Sequence, residues 1–143
     1  MRKIVVASCI FALFGFSTPI EKHQLFIQVE GIEEIKGNLG ILLFNSEVGY
    51  PEEGIKALKS LTVKVKSETM VIELGAFPSG NYAVTLMQDK NLNGIMDKNM
   101  IGIPKEPFGF TKLQEIPFGA PSFNETSIQL VGKTVERIKL MEI

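Results

Sequence analysis

LTVKVKSETMVIELGAFPSGNYAVTL, residues 61–86, decides the fold. Leu61, Val63 and Val65 alternate with Thr62, Lys64 and Lys66, the period-two pattern of a strand with one face on a core and one in water. After a turn at Ser67 to Thr69 the pattern resumes at Met70, Ile72 and Leu74. Pro78 and Gly80 then set a tight turn, and Tyr82, Val84 and Leu86 enter the next strand on one face. Three strands separated by short turns require a β-sheet protein, and the flanks extend the pattern.

Upstream, Leu25, Ile27 and Val29 alternate with Phe26, Gln28 and Glu30 and stop at Gly31, while Gly40 to Phe44 is an unbroken apolar run that suits a central strand buried on both sides. Downstream, Ser127 to Val131 and Val135 to Met141 flank Gly132-Lys133. The expectation is an all-β, seven-stranded antiparallel Greek-key β-sandwich of immunoglobulin or transthyretin type with one long ordered loop. A helix is expected only at Glu52 to Ser60, where Gly54 weakens it.

The N-terminus reads differently. Met1-Arg2-Lys3 is a short positive segment, Ile4 to Phe16 is apolar except at Ser8 and Gly15, and small residues at Gly15 and Ser17 suit cleavage. This is the pattern of a secretory signal peptide over residues 1–17, too short for a bilayer span, ahead of a single domain over 18–143. The expected location is periplasmic or secreted, with no transmembrane span in the mature form. Cys9, the sole cysteine, falls inside the leader, so the mature chain has no thiol for disulfides, thiolate metal sites or nucleophilic catalysis.

With 143 residues, 45% hydrophobic and 22% charged, the chain suits one core. Its 15 basic and 16 acidic residues are dispersed, so nothing resembles a nucleic-acid-binding stripe. His23 is the sole histidine and opens the first strand, which leaves neither a Ser-His-Asp triad nor a His-based zinc centre supported.

From Asp89 to Glu125 the chain shows no convincing strand or helix, yet it holds Phe108, Phe110, Phe118 and Phe123, too many rings for a solvated linker. Ile103-Pro104 and Pro107-Phe108-Gly109, echoed by Ile116-Pro117-Phe118-Gly119, present those rings from rigid turns. They form either a ligand-binding face or a satellite core pinning the loop. The loop opens with Asp89-Lys90-Asn91-Leu92-Asn93-Gly94-Ile95-Met96-Asp97, in which Asp89, Asn91, Asn93, the Ile95 carbonyl and Asp97 sit at the alternate positions of a calcium loop. Met100 stands where an EF-hand needs its bidentate Glu, so that motif is excluded. Calcium held weakly on a β scaffold and a metal-free Asx-rich turn both fit.

Phe77 to Leu86, Asp89 to Asn99, Ile101-Gly102-Ile103-Pro104, Phe108-Gly109-Phe110 and Phe118 to Phe123, with Gly40 to Phe44 and Asn45 to Pro51 upstream, resemble the DUF2141 family of exported bacterial proteins. The likeness implies an exported sandwich and implies no activity. Phe77 to Tyr82 also looks like the turn of transthyretin-like and carboxypeptidase-regulatory-like sandwiches, an analogy of fold only. Where the family pattern often places His before the loop's Asp, this chain has Gln88.

The functional expectation is a non-enzymatic binding module with the 89–123 loop as recognition surface, ordered by calcium or by its own hydrogen bonds, for an envelope protein or a small ligand. The alternatives are a hydrolase using carboxylates such as Glu106 with Asp97 or Glu115, and a structural accessory of the cell envelope.

Overall fold

A computed structural model describes residues 19–143; the expected leader over 1–17 lies outside the described residues. The chain runs β1 (Lys22–Glu30), β2 (Asn38–Phe44), a 3-10 turn (Gly54–Lys56), β3 (Lys59–Lys64), β4 (Met70–Pro78), β5 (Gly80–Asp89), β6 (Phe108–Phe110), α1 (Phe123–Thr126), β7 (Ile128–Leu130) and β8 (Thr134–Lys139). Two sheets result, a three-stranded one ordered β4-β1-β8 and a five-stranded one ordered β3-β2-β5-β6, with β7 on the first residues of β5.

Alternation builds the core. Leu25, Ile27 and Val29 of β1, Ile72 and Leu74 of β4 and Ile138 of β8 face Leu39, Ile41 and Leu43 of β2, Val84 and Leu86 of β5 and Leu130 of β7, all buried. Each such side chain contributes about 1.5–3 kcal/mol on leaving water. No helix among the described residues is long and apolar enough to cross a membrane.

The coarse architecture is the expected one: a predominantly β protein with two sheets face to face. The detail departs from a seven-stranded antiparallel sandwich in three ways. Phe108–Phe110 forms an eighth strand on β5, too short to register as alternation. β8 pairs with β1 in parallel, because the chain leaves β7 in the larger sheet, crosses at Gly132 and enters the smaller sheet running the same way as β1. The helix expected over 52–60 is a single 3-10 turn, since β3 already begins at Lys59 and pairs with β2 there. One further element, α1, lies inside the stretch read as irregular.

Two joints hold the sheets together. At the β4–β5 corner the chain passes between sheets through Ser79, and Tyr82 Oη donates 2.9 Å back to the Pro78 carbonyl, in the manner of a tyrosine corner. At the other edge Phe108 and Met141 exchange N–H···O bonds of 2.9 and 2.8 Å. Gly109 makes that approach possible: a Cβ there would stand 2.8 Å from both Ile138 Cγ2 and the Lys139 carbonyl oxygen.

Candidate functional site

The outer face of the five-stranded sheet, which in an ordinary sandwich would be wet, carries two cross-strand rows. Register aligns Thr62, Gly40, Met87 and Phe108 in one row and Ser60, Leu42, Thr85 and Phe110 in the next. The two rows floor a cleft of ≈ 940 Å³. At Gly40 the missing side chain lets Met87 lie across the floor, its Cε and Cγ 3.3 and 3.4 Å from where a Cβ would stand. A third row, Phe44 and Ala83, is closed off. Tyr50 packs edge-on against Phe44 and Phe123, with centroids 5.3 and 5.8 Å away, and Thr126 Oγ1 lies 2.6 Å from Tyr50 Oη. Burial, only partly offset by that hydrogen bond, pushes the Tyr50 phenol up to about 12.

Three loop segments wall the cleft. Pro51 to Gly54 forms one wall, tied down where Thr85 Oγ1 donates 3.1 Å to the Pro51 carbonyl. Ile95 to Pro104 forms the facing wall, a small hairpin closed by Asn99 N–H to the Ile103 carbonyl and Lys105 N–H to the Asp97 carbonyl, with Asn99 Oδ1 accepting from Ile101 and Ile103 N–H. Pro117 to Ala120 supplies the third. On these walls Ile95, Ile101 and Phe118 are exposed, and Phe118 is wholly so. Across the mouth Lys98 Nζ meets both Glu52 oxygens at 2.8 and 2.9 Å.

The hairpin wall is fixed at its root by a buried carboxylate. Glu106 is 5% exposed; its Oε1 accepts from Lys90 N–H at 2.9 Å and its Oε2 from Asp97 N–H at 3.4 Å, so one side chain buckles both ends of the Asn-rich loop. Asp89, also 5% exposed, accepts from Asn93 N–H at 3.2 Å and Gly94 N–H at 2.7 Å. Asn91 and Asn93 oxygens accept from the N–H two residues on, and both amide nitrogens donate to Asp97. A cation on these oxygens would require both amides to turn over, so that Oδ1 replaces Nδ2 beside Asp97. Among the described residues no three carboxylate, His or Cys side chains converge as a metal cluster.

Beneath the loop, Gln88 Nε2 donates to the Glu34 and Lys36 carbonyls at 2.7 and 2.9 Å, while its buried Oε1 has no partner among the described residues. Lys90 adds ion pairs to Glu34 and Glu142; burial lowers its pKa, but the two carboxylates outweigh burial and leave it raised. The same lysine, with Lys36, holds Glu34 below the usual carboxylate range.

Of the four rings singled out from sequence, Phe108 and Phe110 lie in the floor and Phe118 on the rim, whereas Phe123 packs on Tyr50 outside the cleft. The five loop positions Asp89, Asn91, Asn93, Ile95 and Asp97 stand together in one turn, with Asp89 and Ile95 reaching the lining. Glu106 is buried on the backbone N–H groups of Lys90 and Asp97 and is absent from the cleft lining, and Glu115 is exposed. His23 lies within β1, its Nε2 2.8 Å from Ser79 Oγ on an exposed corner. Sequence reasoning missed Gly40, Leu42 and Met87. The signal was available: Gly40 to Phe44, and Tyr82 to Met87 apart from Thr85, are apolar on both alternating faces, and a sandwich strand has only one face on the core.

A model of the family described as an uncharacterized protein conserved in bacteria, DUF2141, matches residues 27–139. No curated protein and no solved structure matches the chain.

Proposed function

The chain belongs to the DUF2141 family, and from that premise we propose that it is an exported binding module, acting in the periplasm or outside the cell, that holds an extended apolar ligand in the cleft over its five-stranded sheet. The observation that carries this reading is the floor: Leu42, Met87, Phe108 and Phe110 occupy a sheet face that no further sheet of the described residues covers, under a cleft of ≈ 940 Å³. That volume is at the upper end of small-molecule sites, which are mostly apolar and carry few polar groups. Export is supported by the positive and apolar pattern of residues 1–17. A Greek-key, transthyretin-like path is part of the same proposal, supported by the corner that carries the chain from β4 to β5 and from one sheet to the other.

A binding role rather than catalysis is favoured by the lining itself. Its Lys98 and Glu52 neutralise each other, and Asp89 is committed to two backbone N–H groups. The test is a neutral solvatochromic dye such as Nile red. The wild-type protein should brighten and blue-shift it, and Leu42→Glu, which places a charge on the floor without entering the core, should abolish the signal with the fold intact. A Leu42→Glu protein that binds the dye as well as wild type would remove the reading.

Calcium belongs to this proposal as the ion that the Asp89 to Asp97 oxygens would take. With two carboxylates the affinity would fall at the weak end, a Kd of about 10⁻⁴ to 10⁻³ M. Calcium tenfold above Kd would then add about 1.4 kcal/mol of stability. A thermal shift of that size, lost in Asp97→Ala, supports the ion; no shift removes calcium and leaves the cleft standing on the loop's own hydrogen bonds.

A further inference from the structure

Lys98 is the only basic residue lining the cleft among the described residues, and it reaches there from the hairpin wall to meet Glu52 on the facing wall at 2.8 Å. The two partners are not equivalent. The Lys98 side chain is 36% exposed and Glu52 63%, so Glu52 can swing into water at little cost while the Lys98 stem stays against apolar lining. The other acidic side chain of the lining, Asp89, is buried with its oxygens already taken by Asn93 and Gly94 N–H. Displacing Glu52 therefore leaves an uncompensated ammonium at the mouth of an apolar cleft, the complement of an amphiphile with an anionic head and a hydrocarbon tail.

Resting on the cleft reading above, we infer that the site selects anionic amphiphiles: the tail lies along Leu42, Met87 and Phe108, and the head takes the place of Glu52 on Lys98. Glu52 is then an internal competitor for Lys98 in the free protein. An exposed pair of this kind shifts an equilibrium by about two- to fivefold, so Glu52 tunes affinity rather than setting it.

Isothermal titration calorimetry with dodecanoate, 1-dodecanol and dodecyltrimethylammonium on the full chain tests this. Wild type should bind dodecanoate most tightly. Glu52→Gln should tighten dodecanoate about two- to fivefold and leave dodecanol unchanged. Lys98→Met should bind dodecanol as before and lose the preference for dodecanoate. The inference is overturned if 1-dodecanol or dodecyltrimethylammonium binds tightest to wild type, or if Lys98→Met keeps the wild-type order of head groups. If none of the three probes binds wild type or either variant, the cleft reading itself falls, and this inference with it.

Discussion

Glu106 is a buried carboxylate held by no lysine or arginine among the described residues. Its two oxygens close the Asn-rich loop from below by accepting backbone N–H groups at Lys90 and Asp97. Hydrogen bonds to a charged acceptor are worth about 1.5–3 kcal/mol, and an amide at the same place would turn one acceptor into a donor facing the Asp97 N–H. Glu106→Gln should therefore cost about 1.5–3 kcal/mol in urea denaturation and speed amide exchange at Lys90 and Asp97. A loss below about 0.5 kcal/mol would show that the clamp is not needed. Sequence did not disclose this role, because a Glu between Lys105 and Pro107 looks like a solvated loop charge until the loop is folded over it. Tyr50 gives a second prediction at this scale. Its phenol is pushed up to about 12 by burial against Phe44 and Phe123, from an ordinary value near 10. The folded state thus holds the proton more tightly, so its contribution to stability is complete below about pH 10 and is lost as pH rises toward 12. Tyr82 is raised by burial as well. Ultraviolet titration should therefore show one tyrosine, Tyr50, ionising only near pH 12 while the fold persists; both phenols ionising near pH 10 in folded protein would contradict the packing of Tyr50.

Among the elements, the strands were legible and the covering layer was not. Each segment read as a strand between Leu25 and Met141 forms one, because alternation against a core is written into the residue order. β6 escaped notice since three residues cannot display a period, and α1 since it is a single turn, held by a capping box in which Ser122 Oγ accepts from Glu125 N–H and Glu125 from Ser122 N–H. That same contact, first from the Ser122 N–H and then its hydroxyl, holds the Glu125 carboxyl below its usual range. The segment from Gly31 to Gly37 is another covering piece. Gly37 lies at φ +71, and a Cβ there would collide with the Asp89 carbonyl at the root of the cleft wall. Gly37→Ala combines left-handed strain with a backbone clash and should cost at least about 2 kcal/mol in thermal or urea unfolding. A near-neutral result would mean that the β1–β2 connection does not press on β5 as described.

At the scale of the whole molecule, two sheets share one core, and the larger sheet has a second apolar face that the core does not use. The joints at Tyr82 and Gly109 tie the two sheets to each other on either side of the cleft floor. Outer strands are defended by charge: β3 carries Lys59 and Lys64, and β8 carries Glu136, Arg137 and Lys139, which discourages pairing with another chain along those edges. The cleft was only half visible in sequence. Its rings stand out in Phe108, Phe110 and Phe118, but the apolar run of Gly40 to Phe44 suits a strand buried on both sides, whereas one of its faces looks into the cleft. Two methionines give that face a direct readout. Met87 lies in the floor and Met96 in the wall, whereas Met70 packs against the core and Met141 sits at the β6 edge. Titrating methyl-labelled protein with dodecanoate should shift the Met87 and Met96 ε-methyl resonances saturably while Met70 and Met141 stay in place. Shifts at Met70 or Met141 with none at Met87 would contradict a ligand site on the outer face of the five-stranded sheet.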